Sequence, residues 1–296
     1  MDIRTLKYFL MIAQEESISK AAALLHTTQP NLSRQLSQLE VETGHQLVIR
    51  GPRKITLTEE GVFLRKRAQE IVGLLDRTET DLQNYKKEIQ GELCIGAAES
   101  YTMRLVGQVL NICHQKYPGI FFNIFSGSTV EVMERLESGL DDFGILVGPV
   151  DLSRFNYLKL PREDKWGVIM NKSNPLSVKQ SITPEDLQEE PIWLAHQQRD
   201  SNILSGWLKE DIQNLNIIGT FNLITTPSMI IDAGLGCLFT FDQLLKTEGE
   251  NLCFRPLNPP LKTELYLVWH KYRFQSRQAE VFLNELSEFL KFRKVS

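Results

Sequence analysis

Apolar positions in the first forty residues recur at helical spacing in short runs. Ile3, Leu6, Phe9, Leu10 and Ala13 fall on one stripe and predict an amphipathic helix. A second helix is expected after Ser17-Ile18-Ser19, where a serine hydroxyl can accept from the free N–H groups of a first turn. It runs through Lys20-Ala21-Ala22-Ala23-Leu24-Leu25, and its alanines admit another helix at close range. Gln29-Pro30 opens a third helix, since proline is tolerated where its missing N–H would be unpaired anyway. On that helix Leu32, Leu36 and Leu39 form an apolar stripe. Asn31, Arg34, Gln35 and Gln38 form a polar one about 100° around the axis. His26-Thr27-Thr28 leaves room only for a tight turn, so the second and third helices are expected to make a helix-turn-helix.

Gln46–Ile49 and Ile55–Leu57 read as two short strands around Arg50-Gly51-Pro52-Arg53-Lys54, a turn with three cations in five residues. A basic hairpin in that position can lay positive charge along a phosphate backbone, while arginine, asparagine and glutamine on the helix can pair with base edges. Thr58 can cap a further helix, with Glu59 and Glu60 in the first turn where the macrodipole favours negative charge. From there Leu64, Ala68, Ile71, Leu75, Thr78, Leu82, Tyr85 and Ile89 recur at spacings of four and three. That repeat predicts a long helix with a narrow seam, and a seam with no second copy in the chain asks for another subunit.

Beyond Gln90 the pattern changes to alternating strands and helices, the mark of α/β architecture. Strands are expected at Glu92–Ala97, Ile120–Phe125, Phe143–Val147, Trp166–Met170, Pro191–Ala195, Gly236–Phe241 and Leu265–Trp269, with a last helix through Ala279, Leu283, Leu286 and Leu290. In such sheets ligands bind beyond the carboxyl ends of strands. Ser100, Thr102, Ser128 and Thr129 fall at those ends, and Thr225-Thr226-Pro227-Ser228 starts a helix of a second α/β unit.

Composition narrows the class. The chain has 296 residues, 42% hydrophobic and 24% charged, which fits about two ordinary globular domains. Net charge is −4, unevenly spread: residues 1–90 hold 13 basic and 12 acidic side chains, leaving 20 and 25 to the remainder. Between Ser19 and Thr58 the basic residues are Lys20, Arg34, Arg50, Arg53 and Lys54, against Glu40 and Glu42. A locally basic module on an acidic body suits a polyanion at one end. Cys94, Cys113, Cys237 and Cys253 are scattered with no paired spacing, and together with the lack of a signal peptide they fit a reducing, cytoplasmic setting. The uncharged stretch Ile212–Ile231 carries too many polar residues for a membrane span.

Ser17-Ile18-Ser19-Lys20-Ala21-Ala22, Gln29–Gln35, Leu39-Glu40, Gly44 and Leu57–Gly61 together resemble the winged helix-turn-helix of LysR-type transcriptional regulators, a bacterial family. Asn31 departs from the small apolar residue usual at its position, and Leu47-Val48 from the commoner Leu-Phe. The resemblance extends over the whole chain. It implies a multidomain protein with an N-terminal all-α winged helix-turn-helix (1–58) and a linker helix (59–90). The rest would be a C-terminal α/β two-lobed domain similar to periplasmic solute-binding proteins, with lobe I at 91–163 plus 265–296 and lobe II at 164–264. Implied partners are double-stranded promoter DNA, a small-molecule effector, a second copy of the chain in a homodimer or homotetramer, and RNA polymerase. The DNA-contacting set would be Thr28, Gln29, Pro30, Asn31, Ser33, Arg34, Gln35, Gln38, Arg50, Arg53 and Lys54. Ser100, Thr102, Ser128, Thr129, His196, Thr225 and Thr226 would line an effector cleft, with Ala195 and Gln197 beside it, and Leu64, Ala68, Ile71, Leu75 and Leu82 would pair subunits.

Catalytic signatures such as H-E-x-x-H, G-x-S-x-G and a Walker glycine run do not occur, and the five histidines are dispersed without zinc-site spacing. No catalytic residue, metal or cofactor is therefore expected. The competing reading is a solute-binding or enzymatic α/β protein whose N-terminal helices serve only to oligomerise it.

Overall fold

A computed structural model of the chain describes residues 1–296 apart from 52–53, 85–88, 200–201, 210–213, 248–250, 273–274 and 294–296. It divides into two compact units, Met1–Lys86 and Lys87–Ser296.

The first unit opens with α1 (Ile3–Glu15), capped by Asp2, whose carboxylate accepts from Thr5 N–H at 2.7 Å. α2 (Ile18–Leu24) begins at Ser17, as its hydroxyl chemistry requires, and α3 (Gln29–Thr43) carries proline in its first turn. α3 stops at Gly44, which takes a left-handed φ of 73°. A hairpin of β1 (Val48–Arg50) and β2 (Ile55–Leu57) follows, with Val48 opposite Leu57. Ile55 N–H donates to Glu16 O at 2.8 Å, tying the hairpin to the turn after α1. Phe9, Ile12, Ala21, Leu32, Leu36, Leu39, Leu47 and Val48 share one core, so the apolar stripe of α3 faces inward as its spacing predicts.

α4 (Glu59–Asn84) is 26 residues long, and Thr58 accepts from Gly61 N–H at its start. Its early seam residues pack on this unit: Ala68 is fully buried and Leu64 leans on the core. Further along, Ile71 is 40% and Leu82 69% exposed. The expected seam is cut short, however. Tyr85 lies outside the described residues, and Ile89 packs into the core of the second unit. A hydrophobic repeat read through a domain boundary had merged two separate burial demands.

The second unit contains two sheets. The first is ordered β4 (Gly119–Ser126), β3 (Gln90–Ala97), β5 (Phe143–Val147), β13 (Leu265–His270), β6 (Phe155–Lys159). Packed on it are α5 (Met103–Lys116), α6 (Thr129–Ser138) and α10 (Arg277–Arg293). The second is ordered β11 (Leu252–Pro256), β7 (Asp164–Asn171), β10 (Cys237–Phe241), β8 (Ile192–Ala195), β9 (Ile217–Phe221), with β12 (Lys262–Thr263) beside β7. Its helices are α7 (His196–Arg199), α8 (Asn202–Leu208) and α9 (Thr225–Asp232). β3 runs parallel to β4 and β5, and β8 parallel to β9 and β10, as strand–helix alternation predicts. β13 and β7 run antiparallel to their neighbours because each begins where the chain crosses from the other sheet.

Each sheet has its own core. Phe143 and Phe282 meet at 5.1 Å between ring centroids in the first, and Trp166 meets Phe241 at 4.2 Å in the second. Fully burying one such side chain contributes about 1.5–3 kcal/mol. α6 lies close to its sheet because Gly144 sits beneath it: a Cβ there would come within 2.5 Å of Leu136 Cδ1. The two sheets and their helices are called lobe I and lobe II below.

Candidate nucleic-acid interface and candidate effector cleft

α3 presents its polar ridge outward. Thr28, Gln29, Pro30, Arg34 and Gln38 are exposed, and Asn31, Ser33 and Gln35 are half-buried. Thr28 stands at the N-cap with its hydroxyl making no capping bond. Asn31 is less free than its position on the ridge suggests, since its Nδ2 donates to Thr27 Oγ1 at 3.0 Å. Gln38 donates to Glu42 at 3.0 Å. Arg50 lies back across the helix, donating to Ser33 Oγ at 3.2 Å and Ser37 Oγ at 3.3 Å, so hairpin cation and helix form one surface. Lys54 pairs with Glu16 at 3.2 Å. These exposed contacts are weak, worth about 0–1 kcal/mol, and exchange readily for a phosphate. Arg53 lies outside the described residues. Ser37 was not singled out from the sequence, because only the fold of the hairpin brings Arg50 to it.

At the carboxyl ends of the lobe I strands, Ser100 and Thr102 are buried rather than open to a cleft. Ser100 Oγ accepts from Thr102 N–H at 2.9 Å, starting the turn into α5. Both approach Asp164, the first residue of β7, which is itself buried; among the described residues Thr102 Oγ1 and Asp164 Oδ2 have no hydrogen-bond partner. Burial pushes the Asp164 carboxyl above its ordinary range, against the pull of the Ser100 hydroxyl and the Arg162 charge.

Ser128 forms a reciprocal cap on α6: its hydroxyl accepts from Glu131 N–H, and its own N–H donates to the Glu131 carboxylate at 2.7 Å. Both of its polar groups are thus engaged locally. Thr129 N–H, next in line, donates across the lobes to Gln197 Oε1 at 2.9 Å. A second bond crosses in the other direction. Glu99, just before Ser100, accepts from Ile224 N–H at 2.8 Å at the start of α9. Burial raises the Glu99 carboxyl and that N–H partly offsets it. Thr225 and Thr226 are exposed at the same helix start, and the exposed His196 lies near Glu131. The structure therefore brings Ser128, Thr129 and His196 to the side of one lobe-to-lobe bond, with Thr225 and Thr226 beside the other, the Glu99 bridge. Glu99 went unnoticed in the sequence because a single acid after a strand carries no pattern.

Burial pushes the thiols of Cys113 and Cys237 up to about 11 and about 12, so neither is a thiolate at neutral pH. Among the described residues no cluster of three or more His, Cys, Asp or Glu could hold a metal ion. No described helix is long and apolar enough to cross a membrane.

Comparison with known proteins places both parts of the chain in one family. The family described as LysR substrate binding domain matches residues 86–291, and the family described as bacterial regulatory helix-turn-helix protein, lysR family, matches residues 3–62. The transcriptional regulator BsdA of Bacillus subtilis (strain 168) is 42% identical over 139 residues, 47% of this chain and 48% of that one. The Hca operon transcriptional activator HcaR of Escherichia coli (strain K12) is 27% identical over 92% of each chain. Among solved structures, full-length CbnR complexed with its target DNA superposes with a TM-score of 0.74 at 19% identity, covering 98% of this chain and 100% of that one. Full-length BenM gives 0.54 at 23%, covering 99% and 98%. With an exposed recognition-type helix at one end, a two-lobed ligand domain at the other and both halves matched by the same family, the chain belongs to the LysR family of DNA-binding transcriptional regulators.

Proposed function

We propose that this regulator reads operator DNA with α3 in the major groove. Gln29, Arg34, Gln35 and Gln38 would face base edges, while Thr28, Ser33, Arg50, Arg53 and Lys54 would hold phosphates. Asn31, bonded to Thr27, acts in this reading by stiffening the turn as much as by touching a base. The observation that carries the proposal is the outward polar ridge of α3 with Arg50 laid against it. The exposed end of the α4 seam would pair two copies, so that two modules meet two half-sites. The small-molecule effector would bind between the lobes near Ser128, Thr129, His196, Thr225 and Thr226, with Ser100 and Thr102 supporting the floor. The domains would divide as 1–58, 59–90, 91–163 with 265–296, and 164–264, and the regulator would act in the cytoplasm, touching RNA polymerase.

Fluorescence anisotropy on labelled fragments from beside the protein's own gene tests the DNA face. Arg34→Ala is expected to cost about 1–3 kcal/mol on the preferred fragment and to reduce its advantage over random DNA. Lys54→Ala should weaken all sequences alike and lower the salt slope by about one. Equal affinity of the wild type for operator and random DNA would defeat this assignment.

A further inference from the structure

A cationic groove of the second unit lies apart from the two bonds that bridge the lobes. A groove of about 1500 Å³ is bounded by α5, the 160–163 connection between β6 and β7, β12 and α10. Six Lys and Arg side chains line it against a single acid, Glu163. Two of the six are already matched, Lys262 with Glu163 at 3.2 Å and Lys159 with Glu264. Arg104, Arg162, Lys165 and Lys291 are left facing the groove with no carboxylate bonded to them among the described residues.

The two arginines are held in an unusual way. Both guanidiniums sit over one ring, that of Tyr101, with Arg162 Cζ at 4.0 Å and Arg104 Cζ at 5.1 Å from its centroid. Arg104 also donates to the Tyr101 hydroxyl at 2.8 Å. That bond, and the Arg162 charge behind it, hold the phenol below its ordinary range. Tyr101 thus fixes two planar forks at the mouth of the groove, where they repel each other unless an anion lies between them. Leu105, Leu158, Leu160 and Leu290 supply an apolar floor behind the charges.

We infer that this groove is a second small-molecule site, which takes a multiply charged organic oxyanion, its phosphate or carboxylate groups on Arg104, Arg162 and the nearby lysines and its carbon skeleton on the leucines. Fork-shaped guanidiniums pair with such groups through two parallel bonds, which an ammonium cannot do. The groove shares Thr102 with the residues expected around the effector, but Ser128, Thr129, His196, Thr225 and Thr226 do not line it. Because residues 160–163 carry the chain from one lobe to the other, an anion held there biases the relative populations of lobe arrangements.

Calorimetric titration of the full-length protein at physiological ionic strength tests this, with pyrophosphate in one arm and citrate in the other. One saturable site per chain is expected in at least one arm. Pyrophosphate alone would mark a phosphate ligand, citrate alone a carboxylate, and both a site that reads charge. Arg162→Gln and Arg104→Gln should each weaken that binding about tenfold. Arg162→Lys, which keeps the charge and loses the fork, should fall between them and the wild type. Thr129→Val in the cleft and Arg34→Ala on the DNA face should leave the titration unchanged, so its failure is separable from failure of the readings above. Absence of saturation in both arms, or wild-type affinity in the folded arginine variants, would overturn the inference. Arg104 and Arg162 are exposed, and thermal melts superimposable on the wild type would establish folding.

Discussion

At the scale of single residues, the second unit is marked by carboxyl groups held where charge is unwelcome. Asp164 and Glu99 are both raised by burial, from ordinary values of 3.8 and 4.5. A carboxyl raised in the folded state binds its proton more tightly there than in the unfolded chain. Its contribution is therefore most favourable below the ordinary value and is lost as pH rises through the raised one. Asp164→Asn should remove that loss. Across a series of thermal melts from acid to neutral pH, the wild type is expected to lose stability relative to the variant, with the variant at least as stable at pH 7. Parallel curves for the two proteins would show that Asp164 does not titrate differently on folding. The buried, unpartnered Oδ2 also explains why such a residue escapes a sequence search. An aspartate opening a strand reads as an ordinary surface acid until the fold covers it.

Elements were legible in the sequence wherever their signal was local. The three helices of the DNA-binding unit follow from apolar spacing, a serine cap and a first-turn proline, each written within a few residues of where it acts. β6, β9 and β11 were not anticipated. β6 shows only one buried position in five and β9 none, because each ends a sheet and is paired on one side, and β11 ends in Arg255-Pro256. α4 lies between these cases. Its existence was plain from the heptad repeat, but the repeat alone did not say where the protein's own core stops claiming it. Leu64 and Ala68 pack at home, whereas Ile71 and Leu82 do not. That division sets a test of pairing. Ile71→Lys combined with Leu82→Glu should leave the helical content by circular dichroism unchanged, since both side chains are exposed. The same variant should weaken self-association by at least roughly 10-fold, since burying even one apolar side chain contributes about 1.5–3 kcal/mol. Light scattering that returns the wild-type mass across a dilution series would assign pairing to another surface.

Across the second unit as a whole, the two lobes are stitched by contacts that no local reading could foresee. Ile224 N–H and Glu99 are separated by 125 positions, and Thr129 N–H and Gln197 by 68. In each case a side chain of one lobe takes a backbone N–H at the start of a helix in the other, the place where an incoming effector's oxygen would be best received. On the reading proposed above, an effector would compete with Glu99 and Gln197 for these N–H groups and exchange one set of lobe-to-lobe bonds for another. Each bond contributes about 0.5–1.5 kcal/mol, more for the carboxylate, so losing both shifts the lobe equilibrium by about 1–3 kcal/mol, or roughly 5–150-fold. Hydrogen exchange reads this at the donors themselves. Gln197→Ala should speed exchange at Thr129 N–H and Glu99→Ala at Ile224 N–H. Val132 and Ser228 N–H, which donate to Ser128 O and Ile224 O within their own helices, should keep their protection. In the double variant both bridging amides should exchange together, and an effector that bridges the lobes should slow both. If the bridging amides exchange at wild-type rates in all three variants, the stitches do not hold the lobes, and the effector must act through some other difference between their arrangements.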